Sequence, residues 1–186
     1  RCDFHPGPVF ANVVLVDEIN RASPKTQSGL LECMQERQIT IDGTKHELAR
    51  PFVVLATQNP AEYEGTYPLP EAQLDRFMLR LSIGYPSAEI ESEILASHTS
   101  GEPLADIGPV TDAPGVAGMI EQAREVHVAP AIRRYIVEVG EATRRHGDIY
   151  LGASPRAGLM IMRAARAMAA AEQRDDAFLD DILAFY

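Results

Sequence analysis

Two short runs in the first third of the chain contain only apolar residues. Val13 to Val16 and Phe52 to Ala56 show no polar alternation, which is typical of central strands in a parallel sheet covered on both faces. Between them, residues 38 to 48 alternate around Asp42-Gly43, a dipeptide that strongly favours a tight β-hairpin. The pattern therefore predicts an α/β arrangement with a parallel sheet and an inserted hairpin.

A helix is predicted shortly after the first apolar run. Ser23-Pro24 is typical of a helix start, because serine caps the N-terminus and proline suits the first helical position. The residues expected to face the core recur at helical spacing; they are Leu30, Leu31, Cys33 and Met34. A short second helix is predicted from about Pro70 to Arg76, followed at once by a strand from Met78 to Ile83.

The second half of the chain has helical patterning. Ser87 is expected to cap a helix that runs to about residue 98, with acids in its first turn that suit the positive end of the helix dipole. Residues 99 to 115 are rich in Gly, Pro and Asp and predict a long connection. Further helices are expected at about 115–126, 130–145 and 155–173, and another is expected to open near Asp175.

Two adjacent carboxylates end the first apolar run. Asp17 and Glu18 follow Val16, and ligands collect at the carboxyl ends of strands in parallel sheets. Neighbouring acids are costly unless a cation neutralises them, and Mg²⁺ carrying phosphates is a common solution. The run has the form of a Walker B element, in which Asp17 would hold the metal and Glu18 would activate a water for attack on a γ-phosphate. The alternative is an ordinary core strand followed by a solvated acidic turn.

Five ordered segments of the first 86 residues resemble the MoxR family of AAA+ ATPases almost letter for letter. They are Phe10 to Asn12, Asp17 to Ala22, Pro24 to Ser28, Ala56 to Pro60 and Glu64 to Phe77. The resemblance implies the C-terminal part of an AAA+ three-layer αβα core, with a parallel sheet and a pre-sensor hairpin, over residues 1–86. An all-α lid over residues 87–186 follows. The resemblance also implies ATP and Mg²⁺ as cofactors and Asn59 as sensor 1, which hydrogen-bonds the attacking water or the γ-phosphate.

Arg76 matches the arginine finger of the family, which reaches into the nucleotide of a neighbouring subunit. A planar cation there offsets the charge on the transferring phosphoryl oxygens and is worth roughly 10³- to 10⁵-fold in rate. The plainer alternative is an ion pair of Arg76 with Glu71 or Asp75. Arg80 is the fallback for the finger, and Arg21, beside the two acids, is a further candidate cation for a subunit interface.

Arg156 opens a predicted lid helix within the segment Gly152 to Ala157. An arginine in the first helical turn is unfavourable because the helix N-terminus is already positive, and a bound anion would relieve that misfit. In the family, the position resembles sensor 2, an arginine that contacts the γ-phosphate. A solvent-facing arginine is the alternative. The sequence leaves open whether Arg156 acts on its own subunit's nucleotide or on a neighbour's.

The glycine-rich loop Gly-x-x-x-x-Gly-Lys-Ser/Thr, which cradles nucleotide phosphates, does not occur in the 186 residues. In the family this loop precedes Walker B, so we expect a fragment of a longer protein, with a loop-less homologue as the alternative. The 186 residues alone should bind ATP poorly because they lack the phosphate-binding backbone amides and the lysine. They should also expose apolar parts of an incomplete sheet.

Composition narrows the class of protein. A net charge of −10 argues against a nucleic-acid groove, which requires a basic face. The chain has no apolar run long enough to span a membrane, its five histidines lack metal-ligand spacing, and Cys2 and Cys33 fit reduced thiols. These features predict a cytoplasmic protein without a membrane span.

The resemblance implies a function in protein maturation. The expected assembly is a homo-oligomeric, hexameric ring that couples ATP hydrolysis to remodelling or maturation of a protein client. The family often works with proteins bearing a von Willebrand factor A domain, sometimes to insert a metal or cofactor. One alternative is a DNA motor resembling MCM helicases, for which Lys45 and His46 of the hairpin are weak candidate contacts. The other is a non-hydrolysing scaffold, which is disfavoured by the intact candidate residues Asp17, Glu18, Asn59 and Arg76.

Overall fold

The computed structural model describes residues 5–59, 66–97 and 107–185. The predictions that concern Cys2, residues 60–65 and residues 98–106 lie outside these ranges. The chain divides into two compact units, Arg1–Met78 with Ala113–Tyr186, and Leu79–Asp112. The predicted domain boundary after residue 86 stays a prediction.

The described residues form a strand, a helix, a hairpin, a second strand and then further helices. In chain order the elements are β1 Val13–Val16, α1 Pro24–Glu36, β2 Gln38–Ile41, β3 Thr44–Glu47, β4 Val53–Ala56, α2 Glu71–Leu74, α3 Ala88–Ser97, α4 Ala113–Glu125, α5 Pro130–Arg145, α6 Pro155–Ala171 and α7 Leu179–Leu183. A 3-10 turn, Ile19–Arg21, connects β1 to α1. Within this part of the chain, no helix is long and apolar enough to cross a membrane.

Strands β1 and β4 form a parallel pair, as predicted. Val13 lies opposite Val53, and the register continues to Val16 opposite Ala56. The hydrogen bonding extends past the strands, because the Thr57 N–H donates to Val16 O at 3.0 Å and the Ile19 N–H donates to Thr57 O at 3.0 Å. The carboxyl ends of both strands therefore meet at one edge, where the acids follow β1.

One face of the β1–β4 pair is exposed in the described chain, which agrees with the expectation that the 186 residues expose apolar parts of the sheet, whereas cover on both faces is not found among the described residues. The exposed fractions are 62%, 68%, 42% and 54% for Val13, Leu15, Val53 and Leu55. Successive side chains of a strand point to opposite faces, and the alternate residues on the other face are half-buried. Packing within the described residues thus reaches only one side of this pair.

Helix α1 and the hairpin form as the local sequence predicts. The Ser23 hydroxyl accepts the Thr26 N–H at 3.3 Å and caps α1, and Leu31 and Cys33 are buried. Burial raises the pKa of the Cys33 thiol, and the charge of Glu32 adds to the rise. Strands β2 and β3 pair antiparallel around Asp42 and Gly43, whose φ angles are 48° and 78°, the conformation a two-residue hairpin turn requires.

Two predicted elements differ from the structure. Residues Met78 to Ile83 form no strand, and Leu81 and Ile83 are 82% and 99% exposed. Their alternation resembles that of a strand, but a strand needs a hydrogen-bonding neighbour, and none of the described strands pairs with them. Helix α7 begins at Leu179 rather than near Asp175, because Asp176 instead forms a bridge with His127.

The C-terminal helices share an apolar core. Helix α6 contributes Ala165 and Ala169, both fully buried, and α7 contributes Ile182. Two clusters of buried residues join these positions to α5 and to the segment before it. Their members are Val126, Val128, Ile136, Ala165, Ala169, Ala177 and Ile182. This packing fixes the direction of α6, which carries Arg156 in its first turn.

Candidate nucleotide site

The hydroxyl of Thr57 joins the two acids that follow β1. Thr57 Oγ1 donates to Asp17 Oδ1 at 2.5 Å and accepts the Glu18 backbone N–H at 2.9 Å. Because Thr57 directly follows β4, this one side chain fixes the ends of both parallel strands relative to each other. The sequence contains Thr57 within the Ala56–Pro60 motif, but no pattern in the sequence indicated this contact.

Glu18 has an unusual backbone conformation. Its φ and ψ angles are 48° and 55°, in the left-handed region that residues with a side chain rarely adopt. Its carboxylate Oε2 lies 2.9 Å from Arg21 Nε, and both side chains are partly exposed. The predicted interface cation Arg21 is thus an ion-pair partner of the predicted catalytic acid within the same chain.

The backbone of Asn59 contacts the turn that follows the two acids. Asn20 Nδ2 donates to Asn59 O at 3.5 Å, a long contact, and Asn20 is only 8% exposed. Asn20 Oδ1 is buried and has no hydrogen-bond partner among the described residues. The predicted sensor therefore lies at the same edge of the sheet as Asp17 and Glu18.

A buried glutamine links the turn after β1 to the segment before α2. Gln27 is 3% exposed, and its Nε2 donates to Ile19 O at 3.0 Å and to Tyr67 O at 2.9 Å. The Tyr67 N–H in turn donates to Asn20 O at 2.6 Å. A buried polar side chain that satisfies two backbone carbonyls holds them together firmly. In the sequence, the one signal for this role is that Gln27 is a polar residue on the otherwise apolar face of the predicted helix.

The chemistry of the residues at this edge fits a magnesium–nucleotide site. Asp17 is exposed, and one of its oxygens accepts the Thr57 hydroxyl, so the other can accept a metal-bound water. Mg²⁺ in nucleotide sites takes one or two carboxylates and keeps several waters. Within the described residues, no three His, Cys, Asp or Glu side chains cluster as a metal-binding group.

Arg76 and Arg156 both lie close to Asp75. Arg76 is half-buried in the turn that follows α2, and the carboxylate of Asp75 contacts Ser154 and Arg156 rather than Arg76. In the described part of the chain, no hydrogen bond or ion pair connects Arg76 or Arg156 with Asp17 or Glu18. Among the contacts of the described residues, the two predicted arginines are thus not linked to the acids.

The loop before α6 is held by the end of α5. The Ala153 N–H donates to Thr143 Oγ1 at 2.9 Å, and Arg144 Nε donates to Ala153 O at 2.7 Å. A Cβ atom added to Gly152 would lie 2.5 Å from the Cα of Arg144, so only glycine allows this close approach. Helix α6 then starts with Ser154, whose hydroxyl accepts the Ala157 N–H at 3.2 Å.

The hairpin does not present a cationic surface. His46 is half-buried, and its ring packs edge-on against Phe10 with the ring centroids 6.2 Å apart. Lys45 is exposed and lies between acidic residues, Asp42 and Glu47, in the sequence. This arrangement disfavours the MCM-like alternative, in which the hairpin would contact DNA phosphates.

Comparisons with known proteins agree with the geometry. Residues 1–79 match the model of the ATPase family associated with various cellular activities (AAA), and residues 141–185 match the AAA lid domain. The chain is 47% identical to YeaC of Bacillus subtilis over 180 residues, which cover 97% of this chain and 56% of that protein. It is 43% identical to the chaperone MoxR1 of Mycobacterium tuberculosis over 190 residues, which cover 97% of this chain and 50% of that protein.

A solved crystal structure from Cytophaga hutchinsonii has the same fold. It is 40% identical to this chain, with a TM-score of 0.89, and the match covers 97% of this chain and 57% of that one. The chain thus spans about half the length of the relatives it matches. Together with the parallel sheet and the helical lid, these similarities show that the chain belongs to the MoxR family of AAA+ ATPases.

Proposed function

We propose that this chain provides the hydrolytic half of an ATP site in a MoxR-type AAA+ ATPase. The observation that carries the proposal is the joined edge of β1 and β4, where Thr57 contacts both Asp17 and Glu18 and the backbone of Asn59 accepts from Asn20, in the turn that follows the acids. Carboxylates and a polar sensor at a parallel-strand edge are among the parts that phosphoryl transfer to water requires.

Each residue at this edge would perform a different part of the hydrolysis. Asp17 would hold Mg²⁺ through water, and the bound metal would neutralise charge on the phosphates. Glu18 would accept a proton from the attacking water, and Asn59 would hold that water or the γ-phosphate by a hydrogen bond. Because Glu18 and Arg21 form an ion pair here, the Glu18 carboxylate must either break this ion pair or move together with Arg21 to accept the proton.

Two arginines, one from the α/β core and one from the lid, would complete the ATP sites of the assembled ring. Arg76 is proposed as the finger that enters a neighbouring subunit's site, with Arg80 as the fallback, and Arg156 is proposed as sensor 2. A finger that acts across an interface requires a ring, so we propose a homo-oligomer of six subunits. Many AAA+ proteins form such rings, which supports this assembly.

The ring would act on a protein client. We propose ATP-driven remodelling or maturation of that client, which extends to metal or cofactor insertion and takes place with a partner that carries a von Willebrand factor A domain in the cytoplasm. The relative MoxR1 is named a chaperone, which supports this class of function. The net charge of −10 and the packing of the half-buried His46 ring against Phe10 favour it over a DNA motor.

Substitution of Glu18 in the full-length protein tests the proposal. Glu18→Gln should abolish ATP turnover and leave ATP affinity near that of the wild type, because the amide keeps the shape but cannot accept a proton. Glu138→Gln, which changes an exposed acid of α5, is the matched control and should leave both quantities unchanged. Turnover by Glu18→Gln within about threefold of the wild type would reject the assignment.

The same variant identifies the client. A ring that binds ATP without hydrolysing it should retain its partners, so affinity capture with Glu18→Gln should enrich a von Willebrand factor A domain protein over capture with the wild type. If the capture enriches no protein and DNA stimulates the ATPase activity of the wild type, the DNA motor is favoured instead.

A further inference from the structure

A carboxylate from the α/β part of the chain lies at the N-terminus of the lid helix α6. Asp75 follows α2 directly, and its Oδ1 accepts the hydroxyl hydrogen of Ser154 at 2.6 Å. The same hydroxyl caps α6 by accepting the Ala157 N–H. Asp75 Oδ2 lies 3.9 Å from Arg156 Nη1, a distance that suits an ion pair and is too long for a hydrogen bond.

Asp75 thereby supplies a negative charge beside Arg156, where the helix N-terminus makes a nearby anion favourable. An arginine at a helix N-terminus adds positive charge to the positive end of the dipole, and a negative group there offsets both. In the structure that group is a carboxylate of the same chain, 79 residues before Ser154. The site that a phosphate oxygen of the nucleotide is expected to contact is therefore already paired with an internal anion.

The ion pair between Asp75 and Arg156 is weak enough for Arg156 to exchange Asp75 for another anion. The Arg156 and Asp75 side chains are 42% and 34% exposed, and ion pairs with this exposure contribute little to stability because water screens them. A nucleotide phosphate carries more charge than one carboxylate and would outcompete it for the guanidinium. The Ser154 hydrogen bond, which is short and partly buried, can persist while Arg156 changes partner.

We propose that Asp75 is a positioning residue that holds Arg156 when no nucleotide is bound and yields it to the phosphates when nucleotide binds. The proposal rests on the ATPase function proposed above and adds a competitor for the sensor 2 arginine.

Neutralising Asp75 separates its charge from its hydrogen bond. Asp75→Asn keeps an oxygen that accepts from Ser154 but removes the charge that holds Arg156. In the full-length protein carrying Glu18→Gln, which prevents turnover, we expect ATP to bind about three- to fivefold more tightly by calorimetry, because Arg156 no longer has to leave a carboxylate. Glu71→Gln, which changes an exposed acid on the same helix, is the control and should not alter the affinity.

A double-mutant cycle distinguishes positioning from a general structural effect. When Arg156→Ala is already present, Asp75→Asn should no longer change the affinity, because the residue it restrains is absent. Asp75→Glu, which keeps the charge, should bind ATP like the parent protein. If Asp75→Asn fails to fold by circular dichroism, Asp75→Ser, which is also neutral, replaces it with the same expected outcome.

Three results would overturn the proposal. They are an affinity of Asp75→Asn equal to that of Glu71→Gln, weaker binding by Asp75→Asn, and tighter binding that persists in the Arg156→Ala background. ATPase activity of the unsubstituted full-length protein is measured in parallel. Turnover without the Asp75 effect rejects this inference alone, whereas absence of turnover in a protein that binds ATP rejects the proposed function.

Discussion

Thr57 donates its hydroxyl hydrogen to Asp17 across the edge of the parallel strands, with 2.5 Å between the two oxygens. Since the same hydroxyl accepts the Glu18 N–H, one side chain orients the carboxylate proposed for the metal and the backbone of the proposed base. Neither acid is positioned by its own strand alone. The threonine that follows β4 therefore helps to hold in place both acids that follow β1.

Removal of this hydroxyl should impair catalysis more than folding. Thr57→Val keeps the shape of the side chain, and we expect it to lower kcat by about 10- to 100-fold in the full-length protein, in the range typical of residues that orient a metal ligand. The Mg²⁺ concentration required for half-maximal activity should rise. Thr57→Ser, which keeps the hydroxyl, should stay within about threefold of the wild type. Equal activity of the valine and serine variants would show that the hydroxyl is dispensable.

Subunit mixing should reveal whether Arg76 acts across an interface. Arg76→Ala and Glu18→Gln subunits should each be inactive alone, and mixed rings should regain partial ATPase activity, because some interfaces pair an intact Glu18 with an intact Arg76. The measurement is an ATPase titration at constant total protein, with subunit exchange verified separately by fluorescence. Activity that never exceeds that of the separate variants would place the action of Arg76 elsewhere.

Gly152 should tolerate no larger residue. Gly152→Ala would place a Cβ atom 2.5 Å from the Arg144 Cα, so the loop before α6 has to shift at a cost of about 1–3 kcal/mol. Chemical unfolding should reveal this loss, and the displaced loop should also weaken ATP binding through Arg156. Gly147→Ala is the matched control, since its added Cβ would meet no atom within 4 Å. A Gly152→Ala protein as stable as Gly147→Ala would contradict the packing described here.

The lid should lose stability in acid through Asp181. Hydrogen bonds from Arg174 hold the pKa of the Asp181 carboxyl below its usual range, and the Asp181 side chain is only 5% exposed. A depressed pKa stabilises the fold above the unfolded value, near pH 4, and this stabilisation is lost as the pH falls through the lower folded value.

Urea unfolding of Asp181→Asn across this pH range tests the effect. At neutral pH the substitution should lower the free energy of unfolding by about 1–3 kcal/mol, because a charged and buried hydrogen-bond acceptor is replaced by a neutral one. The difference from the wild type should shrink below about pH 4. Glu172→Gln, which changes the exposed partner of the same arginine, should have little effect. A difference that is independent of pH would indicate packing rather than charge.

Local signals in the sequence predicted the local structure well. Asp42-Gly43 formed the expected hairpin, and Ser23 and Ser154 capped the expected helices, because turns and caps depend on neighbouring residues. The parallel pairing of β1 with β4 also followed from the two apolar runs. The turn and the caps need only a few residues of context to form, whereas the strand pairing joins distant residues such as Val13 and Val53.

Other features that depend on distant residues escaped prediction. The strand expected at Met78 to Ile83 failed because its pattern does not contain the partner a strand requires. Contacts such as that of Asp75 with Ser154 join positions 79 residues apart, and the two carbonyls that Gln27 satisfies are likewise known only from the fold. The roles of Asp17, Glu18, Asn59, Arg76 and Arg156 stay predictions that the variants above test.

Because Glu18 has a left-handed backbone conformation, thermal stability and the proposed activity favour different residues at this position. Glycine or asparagine would suit this conformation better than glutamate, so either should raise the melting temperature while removing the proposed base. Selection for heat resistance alone is therefore expected to favour variants at residue 18 that lack the proposed base. A thermostabilised form intended to keep the proposed ATP turnover should retain Glu18.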